Sequence, residues 1–256
     1  MRVLVLAVVT ATVVAAAAAE IAPGDRRSGY DFAGPDIRAM QDDDTANPGM
    51  LGVLQGETLW ARKTGVASRS CADCHGDAQT SMKGVAARYP AFEPALARPL
   101  DLEGRINRCR NEHQGAESLA GESEDLLALT AFVAHQSRGL PITVRTDVEL
   151  RPFLDLGKEL FHRREGQLNL SCSQCHDDNW GKRLAGAVIP QGHPTGYPVY
   201  RLEWQSLGSL QRRLRNCMIG VRAEPYEYGA PEAVALELYL MERARGMPIE
   251  TPAVRP

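Results

Sequence analysis

The chain has 256 residues, of which 44% are hydrophobic, and its 29 Lys and Arg residues nearly balance its 32 Asp and Glu residues to give a formal net charge of −3. A balanced and mixed charge of this kind argues against a nucleic-acid-binding protein. The length is sufficient for two small domains.

The first element in chain order is a targeting segment at residues 1–19. Arg2 supplies a positive charge, residues 3–14 form an apolar run, and the alanines up to Ala19 form a small-residue cleavage region. An uncleaved membrane anchor is the alternative, although the alanine-rich end favours a peptidase site over a lipid core. No other segment is apolar enough to span a bilayer. We therefore expect an exported protein without a membrane span.

Residues 20–50 follow this segment and are rich in Gly, Pro and Asp. This composition predicts an extended or loosely ordered N-terminal arm before the first domain.

Two copies of the pattern C-x-x-C-H are the strongest chemical signal in the sequence. They are Cys71-Ala72-Asp73-Cys74-His75 and Cys172-Ser173-Gln174-Cys175-His176. This pattern attaches c-type haem, because the two thiols form thioethers to the porphyrin and the adjacent His binds the iron. A structural zinc site built from the two cysteine pairs is the alternative, but it leaves the two histidines unexplained. We predict two haem c groups and, with the export signal, a periplasmic protein.

The haem motifs lie within an internal duplication. A Gly-x-x-Leu-aromatic element precedes each motif at the same distance, and an Arg-x-x-x-Cys segment and an Arg-Gly-x-Pro-Ile segment follow each motif in the same order. Apolar spacing and end signals predict a final helix in each half, at residues 123–136 and 231–245. We therefore predict a mainly α-helical protein with two cytochrome c-like domains, at residues 51–146 and 147–256.

Cys109 and Cys217 remain once four of the six cysteines are assigned to haem attachment. Cys109 follows His75, and Cys217 follows His176, at the place where ordinary cytochromes c carry a Met ligand. The duplication predicts that each cysteine is the second axial ligand of its own iron. Nearby arginines in both halves favour the thiolate form. A disulfide between Cys109 and Cys217 stays open as an alternative in an oxidising compartment.

These features together resemble the SoxA family, the dihaem subunits of the SoxAX cytochromes. The resemblance is carried by both haem motifs, both downstream cysteines, residues 196–204 and the arginine-rich residues 211–217. It implies an L-cysteine S-thiosulfotransferase, which joins thiosulfate to a cysteine thiol of the carrier protein SoxYZ as a cysteine S-thiosulfonate. It also implies a permanent monohaem partner, SoxX, and passage of two electrons through haem to an electron-accepting cytochrome c.

The resemblance further implies roles for two residues of the second half. Cys217 corresponds to the catalytic cysteine that carries a persulfide, and Arg213 to the arginine that binds the substrate. The forked donors of an arginine suit the oxygens of a small dianion, and Arg213 lies one helical turn before Cys217. Arg201, Arg212 and Arg215 would add to the positive field, although a surface charge or a haem-propionate partner is the simpler interpretation for most of these arginines.

Three other functions remain as alternatives. A thiosulfate dehydrogenase, which forms tetrathionate, has a related layout, but we would expect a cysteine ligand at only one of its haems. A dihaem electron carrier requires no substrate arginine. A dihaem peroxidase requires an open iron site, whereas both sites here are predicted to have a ligand from the chain.

Overall fold

The structure is a computed structural model that describes residues 20–184 and 186–256. The targeting segment predicted at residues 1–19 lies outside the described residues. Across the part of the chain that is described, no helix combines the length and the apolar character needed to cross a membrane.

The first half of the chain is helical and contains one antiparallel hairpin. Its helices are α1 (Pro35–Asp42), α2 (Gly49–Ala61), α3 (Cys71–His75), α4 (Ala78–Ser81), α5 (Leu102–Cys109) and α6 (Glu124–His135). The hairpin pairs β1 (Ala91–Glu93) with β2 (Arg98–Leu100). Short helical turns lie at Pro23–Asp25, Ala86–Arg88, Pro94–Leu96 and Arg110–Gln114.

The second half repeats the order of helix, haem-motif helix, hairpin and two helices, and adds three further strands. Its helices are α7 (Arg151–His162), α8 (Cys172–His176), α9 (Leu210–Gly220) and α10 (Pro231–Arg243). Its strands are β3 (Arg183–Leu184), β4 (Ala187–Val188), β5 (Val199–Arg201), β6 (Ser206–Gly208) and β7 (Ala253–Arg255). β5 pairs antiparallel with β6 and parallel with β7, whereas β3 and β4 form a separate hairpin. The two final helices predicted from the sequence are confirmed as α6 and α10.

A pair of packed helices forms the core of each half: α2 with α6, and α7 with α10. The glycine that begins each duplicated element has a packing role. A Cβ atom on Gly56 would collide with the carbonyl oxygen of Ala128, and one on Gly157 would collide with that of Ala235. Glycine at these two positions lets the helix backbones approach closely.

Both haem motifs form single-turn helices that begin with a capping box. Ser70 Oγ accepts a hydrogen bond from the Asp73 backbone N–H at 3.0 Å, and the Asp73 carboxylate accepts one from the Ser70 N–H at 2.9 Å. Ser171 and Gln174 repeat this arrangement before the second motif. The cap satisfies backbone donors that such a short helix leaves free, so it fixes the direction of the cysteines and the histidine.

The hairpins β1–β2 and β5–β6 are equivalent in register as well as in sequence position. Every pair in β1–β2 corresponds to the pair 108 residues later in β5–β6, and each hairpin leads directly into a helix, α5 or α9. Asp101 and Ser209 cap these two helices by accepting hydrogen bonds from backbone N–H groups. Because the caps fix where the helices begin, Cys109 and Cys217 come to equivalent places in the two halves.

The N-terminal arm differs from the prediction of an extended or loosely ordered segment. Residues 35–42 form α1, and the arm packs against the end of the chain. The Asn47 side chain donates a hydrogen bond to the Pro252 carbonyl at 2.9 Å, and the Gln41 side chain accepts one from the Val254 N–H at 3.1 Å. Composition alone missed this order because the ordering contacts come from the opposite end of the chain.

Candidate functional site

The first centre is a cavity of about 770 Å³ that collects every predicted ligand of the first half. Cys71, Cys74, His75 and Cys109 all line it, with Trp60 among the apolar residues around them. The volume lies within the usual range for cofactor pockets, and the lining is largely apolar. Two thiols, an imidazole and a further thiol around an apolar space are a donor set that suits a covalently attached haem. The residues present therefore fit haem c.

The second centre brings together the corresponding residues of the second half. His176 Nδ1 lies 2.7 Å from the Pro190 carbonyl oxygen, to which it can donate a hydrogen bond, leaving Nε2 free as a ligand. This is the usual arrangement for a histidine that binds a metal. The Cys217 thiol lies near His176, and its charge acts on Cys172 and Cys175. The donor set is again the one that haem c requires.

Cys109 and Cys217 are both free thiols. The alternative of a disulfide between them is therefore not realised in the structure. Each cysteine instead lies beside the haem motif of its own half, as the duplication predicts.

The two distal thiols nevertheless have different electrostatic surroundings. Burial raises the pKa of Cys217, but the hydrogen bond with His176 and the charges of Arg213 and Arg201 outweigh it, so the pKa falls below its ordinary value. Burial also raises the pKa of Cys109, and there the nearby cations do not compensate. The second centre therefore favours a thiolate more strongly than the first.

Arg213 lies on α9, one turn before Cys217. Burial disfavours its charged form, but the negative field of Cys217, followed by those of Tyr197 and Glu203, raises the pKa of its guanidinium. The guanidinium and the thiol are therefore close enough for their charges to interact.

Two of the three arginines around Cys109 pair with a carboxylate, whereas Arg110 donates hydrogen bonds to the Glu117 carbonyl oxygen. Arg105 forms an ion pair with Glu93, and Arg108 Nη1 lies 3.1 Å from Glu93 Oε1. Arg108 also pairs with Glu112 at 2.7 Å. Cationic residues next to both cysteines were predicted from the sequence. Of the two equivalent arginines, Arg105 has a carboxylate partner, whereas Arg213 has no ion pair among the described residues.

Sequence reasoning missed Glu93 and gave no role to Tyr197. Tyr197 lies close to Arg213, Arg201 and Cys217, and burial raises the pKa of its hydroxyl. An alignment of the two halves at the offset of 108 would have found both residues, because Tyr89 corresponds to Tyr197, and Glu93 corresponds to Arg201.

Comparisons with known proteins agree with this arrangement. The family model described as SoxA/TsdA, cytochrome c domain, matches residues 55–142 and 156–249. The chain is 42% identical to the L-cysteine S-thiosulfotransferase subunit SoxA of Pseudaminobacter salicylatoxidans, over 94% of this chain and 85% of that protein. It is 36% identical to the subunit of the same name from Rhodovulum sulfidophilum, over 90% of this chain and 80% of that protein.

A solved structure gives the same result. The crystal structure of SoxXA from P. pantotrophus matches with a TM-score of 0.87 and 33% identity, covering 90% of this chain and 87% of that chain. The duplicated haem motifs, the facing cysteines and these matches have one explanation: the chain belongs to the SoxA/TsdA cytochrome c family and is a SoxA member of it.

Proposed function

We propose that this chain is the SoxA subunit of an L-cysteine S-thiosulfotransferase. The enzyme couples thiosulfate to a cysteine thiol of the carrier protein SoxYZ and produces a cysteine S-thiosulfonate. The observation that carries the proposal is the grouping of Cys217, His176 and Arg213, in which a thiol near the haem motif lies one turn of α9 from a guanidinium. The relatives that carry this activity in their names cover most of the chain.

The overall reaction is an oxidative coupling. A sulfur–sulfur bond forms between the outer sulfur of thiosulfate and the carrier cysteine, whose S–H bond breaks. One proton is released, and two electrons leave for an electron-accepting cytochrome c. Haem, when bound, supplies the one-electron chemistry that side chains lack.

Two haem c groups are held by the two halves, in domains at residues 51–146 and 147–256. Cys71 and Cys74 attach the first group, and Cys172 and Cys175 attach the second. His75 and Cys109 would bind the iron of the first group, and His176 and Cys217 would bind that of the second. The fit of both donor sets, described above, supports this assignment.

Arg213 binds the sulfonate end of thiosulfate. A guanidinium offers parallel N–H donors that match two oxygens of an oxyanion, and the hydrogen bonds are strengthened by opposite charge. Its place on α9 directs the outer sulfur of a bound thiosulfate towards the residue one turn later, Cys217.

Cys217 acts as an iron ligand and as the residue that carries sulfur during transfer. Its lowered pKa favours the thiolate, which is the nucleophilic form of cysteine. The family resemblance implies that this sulfur is held as a persulfide. Mass analysis of the peptide that contains Cys217 would detect the additional sulfur atom.

The subunit operates in the periplasm with SoxX as a permanent monohaem partner. The targeting segment at residues 1–19 and the requirement for haem attachment support the location. The match to a SoxXA structure supports the partner. SoxYZ and the electron-accepting cytochrome are transient partners.

The experiment that tests this function identifies the product. The complex of this chain with SoxX is incubated with thiosulfate, oxidised cytochrome c and SoxYZ, and the carrier mass is measured. We expect the carrier to gain one thiosulfonate group, and we expect Cys217→Ala to abolish this gain while both haems stay attached. Tetrathionate in place of the modified carrier would support a thiosulfate dehydrogenase, and retained carrier loading in Cys217→Ala would contradict a sulfur-transfer role for Cys217.

A further inference from the structure

The strongest unassigned feature is a reversal of charge between two equivalent segments. Residues 89–109 and 197–217 align without a gap at an offset of 108. Both contain a two-stranded hairpin, a capped helix start, an arginine and then a cysteine one turn later. Within this shared frame, Glu93 at the end of β1 corresponds to Arg201 at the end of β5.

In the first half, this position neutralises its neighbours. Glu93 forms an ion pair with Arg105, which is the equivalent of Arg213, and a second ion pair with Arg108. The arginine next to Cys109 therefore already has a carboxylate of the chain as its partner.

In the second half, the same position carries a second cation. The Arg201 side chain is only 14% exposed. Its Nε forms an ion pair with a carboxylate oxygen of Glu203 at 3.0 Å, although this buried N–H makes no well-aligned hydrogen bond among the described residues. Glu203 itself is half exposed to solvent.

Trp204 fixes the position of Arg201 relative to α9. The Arg201 guanidinium lies 5.1 Å from the centre of the Trp204 ring, and that of Arg212 lies 4.2 Å from the same ring. Because Arg212 precedes Arg213 on α9, this stack ties the end of β5 to the helix that carries Cys217. The pKa of Arg201 is lowered by burial and then by the charge of Arg213, which agrees with a position near that residue.

In the first half the equivalent residue, Glu93, contacts Arg105, so the shared frame brings Arg201 to the side of α9 that carries Arg213. Two guanidiniums on the same side of a largely buried pocket repel each other and gain from a shared anion. We infer that Arg201 is a second substrate-binding residue, which with Arg213 forms a two-arginine cradle for the sulfonate of thiosulfate. The exchange of Glu93 for Arg201 between the halves thus gives the second centre two arginines where the first has an arginine paired with a carboxylate. This inference rests on the proposed function. It adds that a pair of arginines selects the thiosulfate dianion.

Arg201 is suited to bind an oxyanion. That oxyanion is either the sulfonate of thiosulfate or a haem propionate. The two sources differ in what they predict. A substrate-binding Arg201 controls the affinity for thiosulfate and leaves the haem unaffected. A propionate-binding Arg201 controls the spectrum or the reduction potential of the second haem and leaves the affinity for thiosulfate unaffected.

The test compares Arg201→Gln, Arg201→Lys and Arg201→Glu in the haem-loaded complex with SoxX. We expect Arg201→Gln to raise the KM for thiosulfate about tenfold or more, as loss of one charge-assisted hydrogen bond predicts, with a smaller change in kcat. Arg201→Lys keeps the charge and recovers part of the affinity. Arg201→Glu recreates the charge found in the first half and weakens binding further.

The matched control is Arg163→Gln, which removes one positive charge from the same half at an ion pair with Glu165. It should leave the KM for thiosulfate unchanged, because Arg163 is not part of the proposed cradle. An increase in KM in Arg201→Gln would then not be due to a general loss of positive charge. Haem content and visible spectra are recorded for each variant. An unchanged KM in Arg201→Gln would overturn the inference, and an unchanged KM with a shifted haem potential would assign Arg201 to a propionate.

Calorimetric titration of thiosulfate into the oxidised complex separates this inference from the proposed function. If the natural protein forms no thiosulfonated carrier, the proposed function fails. Weaker thiosulfate binding by Arg201→Gln would still establish the cradle in that case, and unchanged binding would overturn it.

Discussion

Glu93 and Arg201 occupy the same position in two related hairpins and carry opposite charges. The first neutralises the arginines beside Cys109, and the second adds to the positive field beside Cys217. A duplicated frame has therefore produced two centres with the same donor set and different electrostatics. The difference arises from a strand residue outside the haem motifs.

Replacement of Glu93 by Gln should destabilise the first half without affecting the binding of thiosulfate. The substitution keeps the shape of the side chain but leaves Arg105 and Arg108 without their shared carboxylate. Thermal unfolding followed by circular dichroism should show a lower Tm than that of the natural protein. The KM for thiosulfate should stay the same, and an increase in KM would show that the first centre takes part in substrate binding.

Replacement of Gly157 by Ala should disrupt the contact between α7 and α10. A methyl group there meets the Ala235 carbonyl and the Tyr239 side chain, so the two helices must move apart. Overpacking of this kind typically costs about 1–3 kcal/mol of the free energy of unfolding, measurable by urea denaturation.

Gly220→Ala is the control for the glycine substitution. Gly220 ends α9, and a Cβ atom there would meet nothing within 4 Å. This variant should keep the stability of the natural protein or exceed it slightly, because alanine restricts the unfolded chain. Equal losses in the Gly157→Ala and Gly220→Ala variants would contradict a role for close helix packing.

Stability should fall as the pH rises from about 5 to 8, because Glu237 binds a proton more tightly in the folded state. Glu237 lines a narrow cavity of about 60 Å³ between the halves, together with Asp101 and Gln211. The Gln211 amide donates hydrogen bonds to Asp101 at 2.6 Å and to Glu237 at 3.3 Å. Burial and the charge of Asp101 raise the pKa of Glu237 from 4.5 to about 8.

The sign of the pH effect follows from proton linkage. Between these two pKa values, the folded state holds a proton that the unfolded state has released, so each increase in pH favours unfolding. Glu237→Gln should reduce this pH dependence, as shown by Tm measured from pH 5 to 8. Glu232→Gln, at the first turn of the same helix, should keep the natural slope. An unchanged slope in Glu237→Gln would assign the effect to other groups.

The local motifs of this chain were predictable from sequence because their residues are close neighbours. The haem motifs, the final helices α6 and α10, and the equivalence of Cys109 with Cys217 depend on short spacings and on the repeat. The order of the arm and the partner of Arg105 depend on contacts between distant segments. Glu93 and Arg105 meet because the hairpin β1–β2 folds back on α5. No hydrophobic periodicity within the hairpin or the helix indicates this contact.

Arg201 and Arg213 should be energetically coupled if they hold the same anion. Arg213→Lys keeps the charge but loses the forked donors, so it should raise the KM for thiosulfate less than Arg213→Ala does. Loss of a charge-assisted hydrogen bond costs about 1.5–3 kcal/mol, which corresponds to about a 10- to 150-fold loss of affinity.

A double-mutant cycle measures this coupling directly. Titration of thiosulfate into the Arg201→Gln, Arg213→Gln and doubly substituted complexes gives three changes in binding free energy. Residues that contact one ligand are expected to depart from additivity by about 0.5 kcal/mol or more, whereas independent sites add within about 0.3–0.5 kcal/mol. Each substitution also removes the repulsion that its neighbour experiences, so the second loss should be smaller than the first. Strict additivity would mean that the two guanidiniums do not share the anion.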